Sequence, residues 1–259
     1  MHSTHFRHQL YLHGSKIVVS FLLLMGLAVS PTFAQINSTV NLPNFDEQHW
    51  HYGFLMGLHT ANYRLEYVDD YVTPEFDTLH SVVPPSKMGF KIGFIVDYHI
   101  FETLDVRLTP TVGFNQLQLN YRYTNGKILE ELRDPTYVEL PILLKYKSVR
   151  RRNRRMYFLG GINPSFKAAS SKEREDTDRL LTKNFNLSVD VGIGMDLYQP
   201  LFKFSPEIRY SFGLLDVLAE EQNDFSAPLQ RLTIHSLAFY ITFEGGPSTF
   251  RRKGGKYKR

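Results

Sequence analysis

Five arginines stand among the six residues 150–155, inside the run KYKSVRRRNRRMYFLGG (145–161). A guanidinium group is planar, permanently charged and pairs bidentately with phosphate or carboxylate. Arg150, Arg151, Arg152, Arg154 and Arg155 are therefore candidates to bind lipid phosphates or an acidic protein surface, and in the abstract nucleic acid. His49 and His51, in EQHWHYG, have the i, i+2 spacing of two metal ligands on one strand face. Beside Trp50 and Tyr52, however, they read as an aromatic girdle at a membrane interface. His80, Ser81, Asp77 and Ser226 are residue types that nucleophilic catalysis uses, but no spacing ties them together. GIG at 192–194 has neither the third glycine nor the helix of a dinucleotide fingerprint, and the metalloprotease, nucleophile-elbow and phosphate-loop motifs are missing. No catalytic residue, cofactor or metal is expected.

The elements that must position these residues begin after a leader. Arg7 and Lys16 precede the 13-residue apolar run IVVSFLLLMGLAV (17–29), and SPTFA follows, with small residues at Thr32 and Ala34. That is the pattern of a secretory signal peptide over 1–34; 13 apolar residues are too few to span ~30 Å of hydrocarbon as a helix. Export argues against a nucleic-acid partner for the arginines. The chain has no cysteine, which excludes disulfides, iron–sulfur clusters and thiolate zinc sites. Basic residues are concentrated in the arginine block and in the last 15 residues. Between 35 and 244 there are 22 basic against 26 acidic side chains, so the formal charge of +4 does not describe the body of the protein.

That body alternates. In 88–100 the even positions Met88, Phe90, Ile92, Phe94, Val96, Tyr98 and Ile100 are all apolar, with Lys91, Asp97 and His99 among the residues between. The same period of two runs through 185–197 and 202–212, and more faintly through 50–66, 104–115, 137–147, 155–166 and 231–243. Eight strands follow. Each is about long enough to cross a bilayer when tilted, which takes roughly 9–11 residues. Their apolar faces carry no charge in the clearest strands, and 20 Phe and 15 Tyr favour strands over helices. The fold expected is all-β, an eight-stranded antiparallel transmembrane β-barrel in the outer membrane.

The connections alternate in length. FET (101–103), SVRRRNR (148–154) and QPL (199–201) are short; 67–87, 121–136, 167–184 and 214–230 are long. Outer-membrane barrels have short periplasmic turns and longer extracellular loops, so the arginines form a periplasmic turn. The organisation expected is signal peptide 1–34, periplasmic segment 35–48, barrel 49–244 and basic tail 245–259. Facing inward would be Lys91, Asp97, Asp105, Arg107, Glu139, Lys145, Asp190, Asp196, Lys203, Glu207 and Arg209, with His235. Acids and bases nearly balance, and side chains can fill eight strands, so the interior is expected to be plugged by paired charges. Pro110, Pro141, Pro164 and Pro206 fall inside these strands and call for bulges or strand ends.

Four segments carry a resemblance: NLPNFDEQHWHYGF (41–54), TYVELPILLKYKSVRRRN (136–153), VGIGMDLYQPLFKFSPEIRYSFGL (191–214) and FYITFE (239–244). In this order they resemble the PorT family of the Bacteroidota, with NLPNFDE and LYQPLFKFSPEIRYSFG the closest. YVELPILLKY is shared by many barrel domains of that phylum, and the basic tail has no place in the family pattern. The resemblance implies a non-enzymatic outer-membrane barrel required for type IX secretion, acting in assembly or as an accessory of the translocon. Its expected partners are outer-membrane lipids and other secretion components. The alternatives are a stand-alone surface barrel working through its outer loops, as an adhesin or envelope stabiliser, and a barrel enzyme.

Overall fold

A computed structural model describes residues 40–68, 79–168, 180–219 and 225–245. The signal-peptide segment, Asp77 and the basic tail beyond Gly245 lie outside the described residues. Thirteen strand segments occur in chain order: β1 (Trp50–Tyr67), β2 (Leu79–Val83), β3 (Lys87–Phe101), β4 (Leu104–Leu108), β5 (Thr111–Phe114), β6 (Leu117–Tyr123), β7 (Ile128–Arg133), β8 (Thr136–Glu139), β9 (Ile142–Lys147), β10 (Arg154–Lys167), β11 (Phe185–Tyr198), β12 (Lys203–Gly213) and β13 (Leu229–Gly245). β4 and β5 act as one wall strand, as do β8 and β9. The wall is then a closed antiparallel ring of eight, sealed where β1 pairs with both β3 and β13. All eight strands read from the alternation are present.

The ring closes because each strand buries one face inside and leaves the other outside. Phe54, Met56, Leu58, Phe90, Ile92, Phe94, Leu144, Phe158, Ile193, Ile208 and Phe239 all point outward and are 46–70% exposed. An apolar band this continuous is far beyond what a water-soluble surface carries, and lipid is the solvent that suits it. At the short-turn end, Trp50 and Tyr98 meet on this outer face with ring centroids 4.7 Å apart. Those turns are Glu102–Thr103, Arg152–Asn153 and the segment between Gln199 and Phe202, whose N–H and carbonyl are 2.9 Å apart.

At the long-loop end the sequence reading needs correction. Segment 121–136 is not a loop. β6 and β7 continue the β5 and β8 strands in unbroken register: Leu108 faces Ile142, Thr111 faces Glu139 and Leu117 faces Arg133. They project beyond the ring to a tight turn at Gly126 (φ +82°). β2, from the segment read as loop 67–87, adds to the edge of β6 and makes a three-stranded sheet.

The polarity of the wall inverts where this extension begins. Along β1 the outward residues run Trp50, Tyr52, Phe54, Met56, Leu58, then Thr60, Asn62, Arg64 and Glu66. The inward ones change the other way, ending in Ala61, Tyr63 and Leu65. Leu117, Leu119, Tyr121, Val82, Leu180, Val217 and Leu232 join Ala61 and Tyr63 in one buried apolar cluster that fills this end.

The prolines are accommodated without bulges. Pro110 and Pro141 sit in the breaks between β4 and β5 and between β8 and β9, but Pro164 and Pro206 lie within β10 and β12. The register does not shift at any of the four. The pairing simply skips the missing N–H, while three of the proline carbonyls still accept: from Phe94 N–H to Pro110 (2.9 Å), Thr109 N–H to Pro141 (3.1 Å) and Leu140 N–H to Pro164 (2.9 Å). At Pro206 the β11–β12 pairing lapses across two residues and resumes at Phe204.

Candidate functional site

Eleven of the twelve residues expected inside are there, all with less than a tenth of their surface exposed: Lys91, Asp97, Asp105, Arg107, Glu139, Lys145, Asp190, Asp196, Lys203, Glu207 and Arg209. His235 is not. Its parity on β13 places it with Leu237 and Phe239 on the outer face, where Phe212 packs edge-on against it at 4.6 Å and the Tyr210 hydroxyl lies 3.0 Å from Nδ1.

Arg107 is the centre of the interior. Its Nε and Nη2 donate to the two carboxylate oxygens of Asp97, both at 2.7 Å. Nη2 also reaches Glu244 (2.6 Å), and Nη1 reaches Glu207 (3.2 Å). The Tyr157 hydroxyl donates to the same Glu207 oxygen at 2.9 Å. Lys145 pairs with Asp196 at 3.0 Å and sits 4.0 Å over the Tyr157 ring, while Lys203 pairs with Glu244 at 2.7 Å. Lys91 and Glu139 form a separate pair at 2.8 Å nearer the long-loop end. Each of these buried charges has a partner of opposite sign, which burial requires. Glycine makes room for the large rings: a Cβ on Gly194 would lie 2.3 Å from Tyr157, and one on Gly57 2.5 Å from Tyr240.

Glu244, Tyr157, Lys147 and the two inward histidines His51 and His59 belong to this interior and were not assigned to it from the sequence. Parity alone would have found them, since Glu244 is one residue beyond Phe243 and Tyr157 is two from Arg155. His51 is not a girdle residue. It is buried beneath the short-turn mouth, where Nε2 lies 2.7 Å from the Phe45 carbonyl.

That mouth is closed by the segment that precedes β1. Phe45 is 2% exposed, stacked on His51 with centroids 4.2 Å apart and edge-on to Tyr198 at 5.9 Å. Asp46 takes both Arg155 guanidinium nitrogens, each at 2.9 Å, with the Tyr198 hydroxyl at 3.0 Å and Arg150 at 3.3 Å. Burial works against ionisation of Asp46, but Arg155, the Tyr198 hydroxyl, Lys203 and Lys147 outweigh it and hold its carboxyl below the usual carboxylate range. Arg150 also donates to the carbonyls of Asn41 and Leu42 and lies 3.5 Å over the Tyr198 ring. Asn41 N–H donates to the Asn153 side chain at 2.8 Å, and Asn41 Nδ2 to the Tyr198 carbonyl at 2.9 Å.

The five arginines therefore divide. Arg150 and Arg155 turn onto the entering segment; Arg151, Arg152 and Arg154 are exposed. Arg152 holds the tip of the hairpin with φ +57°. Of the residues suited to catalysis, His80 and Ser81 lie on β2, and Ser226 is buried just before β13. Among the described residues no group of three or more His, Asp or Glu could hold a metal ion.

A ring of eight strands, lipid-compatible outside and charged within, is the architecture that a family comparison also finds. The family model described as "Outer membrane protein beta-barrel domain" matches residues 33–219. The chain belongs to that family. In such barrels the short turns face the periplasm, so the mouth closed by Phe45 and Asp46 is the periplasmic one. Among solved structures, the chain is similar to the outer membrane protein OprG of Pseudomonas aeruginosa, at 12% identity and a TM-score of 0.47, covering 75% of this chain and 93% of that one. It is also similar to Neisserial surface protein A (10%, TM-score 0.37, 74% and 95%) and to Ail, the attachment invasion locus protein of Yersinia pestis (10%, TM-score 0.33, 76% and 100%). No curated protein sequence matches the chain.

Proposed function

We propose that this outer-membrane barrel is a non-enzymatic, PorT-like component of type IX secretion, exported by the leader at 1–34 and acting in assembly or as an accessory of the translocon. The reading rests on one observation above the others. NLPNFDE and LYQPLFKFSPEIRYSFG, the two stretches closest to PorT, form a single joint in which Phe45 and Asp46 pack on Tyr198 and under Lys203. The filled interior supports an accessory role, because Arg107, Arg209, Tyr157 and Lys145 are fully buried across the lumen and leave no passage for a polypeptide. Arg151, Arg152 and Arg154 then supply the docking surface, for an acidic patch on another component or for phosphates of the inner leaflet, while Arg150 and Arg155 serve the joint.

Deleting the gene and comparing cell-associated with extracellular proteins by mass spectrometry tests this. The expected result is loss of sorting-domain cargo from outside and its accumulation in the periplasm. Unchanged cargo would overturn the reading. In the complemented strain, changing Arg151, Arg152 and Arg154 to Ser together should impair secretion with the barrel still present; normal secretion would remove the docking surface.

A second reading, a surface barrel working through its outer face, draws support from the β2–β6–β7 sheet and the apolar cluster that fixes it. It expects replacement of segment 167–184 to abolish adhesion or envelope integrity while secretion stays normal.

A further inference from the structure

The segment that closes the periplasmic mouth is bound as a ligand would be. Residues 41–47 form no strand, and side chains rather than a sheet ladder hold them to the wall. The receptor groups come from β1, the β9–β10 turn, β10, β11 and β12: His51, Arg150, Arg155, Tyr198 and Lys203. Arg155 and Tyr198 are more than nine-tenths buried, and their polar ends point at Asp46. Phe45 fills the apolar part, between the His51 and Tyr198 rings and beneath the Lys203 ammonium at 4.8 Å. An aromatic side chain followed by a carboxylate is thus recognised by a stacking platform and a bidentate guanidinium, as a peptide site recognises its motif.

Two further features mark this contact as more than a packed terminus. Among the described residues, the non-glycine residues with a positive φ are Leu42 (φ 47°) and Arg152 (φ 57°). Both belong to this joint, for Arg150 donates to the carbonyls of both. Left-handed backbone at bulky residues is uncommon and clusters at ligand clamps and switches. Beside the clamp lies a groove of about 350 Å³, lined by Asp46, Glu47, Glu102, Ser148, Val149 and Arg150. It gives an incoming chain a place to start while Phe45 and Asp46 are still seated.

We infer that the periplasmic mouth is a peptide-binding site for an aromatic–acidic pair, held in cis by Phe45–Asp46 and open to exchange with an extended segment of the same chemistry on a periplasmic partner. Exchange leaves the ring intact, because none of its strand pairs involves residues 41–47. The site stands independently of any role in secretion.

The test uses the octapeptide NLPNFDEQ carrying fluorescein, and the full chain with Phe45→Ala and Asp46→Ala, which empties the mouth. In detergent micelles the peptide should bind this variant. Affinity should fall about tenfold or more when the peptide carries Ala for Phe or Asn for Asp, or when Arg155→Ala is added to the barrel, as loss of a charge-assisted contact implies. No binding, or binding indifferent to all three changes, overturns the inference. Should the emptied variant not fold, the native mouth decides. The chain has no cysteine, so a spin label at the exposed Asn44 (Asn44→Cys) reports the segment alone. Excess peptide should convert an immobilised spectrum to a mobile one, and the altered peptides should need about tenfold more. A label that stays immobilised at every peptide concentration contradicts exchange.

Discussion

The two ends of this barrel are built from the same strands and filled in opposite ways. Toward the periplasm the inward side chains are charged and the outward ones apolar. Toward the long loops, Tyr63, Leu117, Leu119 and Leu232 point inward, while Asn62, Arg64, Glu66 and Arg231 stand on the outer side. What changes between the two is the solvent outside the wall. Lipid removes the reason to hide apolar side chains, so the interior is left for groups that lipid will not accept. Where the wall rises into water the ordinary rule returns, and the hairpin β6–β7 with β2 becomes a small soluble sheet over its own core.

The two fillings should fail differently. The largest loss is expected from Arg107→Met, which takes the bidentate partner from buried Asp97 and leaves Glu244 and Glu207 to Lys203 and Arg209 alone, and costs about 3–5 kcal/mol. Adding Asp97→Asn should recover part of it, measured by urea unfolding followed on the loss of heat-modifiable mobility. At the other end Leu119→Ala should cost about 2–5 kcal/mol through the cavity it leaves, with no second substitution in the charged half recovering it. If Arg107→Met proved no worse than an exposed substitution, the charged network would not be what orders the interior.

Smaller effects belong to the mouth. Asp46 is held ionised below the ordinary carboxylate value of 3.8. Its contribution is therefore complete above that pH and is lost as the pH falls through the lower folded value. Asp46→Asn should weaken the segment's attachment by about 1–3 kcal/mol at neutral pH and abolish the acid release, both read from a spin label at Asn44→Cys. The smallest change is expected from Arg152→Gly, a gain of no more than about 1 kcal/mol from relieving left-handed backbone at the hairpin tip.

The eight wall strands were legible because lipid on one side and charge on the other give an uninterrupted period of two, as in Met88 to Ile100. β6 was not. In LQLNYRY the alternation continues with Leu117, Leu119 and Tyr121 on the inner parity, but its polarity is reversed relative to Val112 and Phe114. A reversal of phase within one strand reads as the end of the strand. Pro110 and Pro141 fall at strand ends as expected, but Pro164 and Pro206 do not, for another reason: a ring can skip a hydrogen bond without shifting register, which no residue pattern announces. At the mouth, the arginine cluster was plain in the sequence, but its division was not. Arg155 finds Asp46 across 109 residues, and only the closure of the ring brings them together.

The central claim is that this barrel is shut, by charges across its middle, an apolar core above and Phe45–Asp46 below. Conductance of the purified full-length chain in a planar bilayer tests it most directly. The account predicts a baseline without discrete opening steps for the native chain. Regular, stable conductance steps from the native chain would show an open lumen, and would contradict both the filled interior and the accessory role drawn from it.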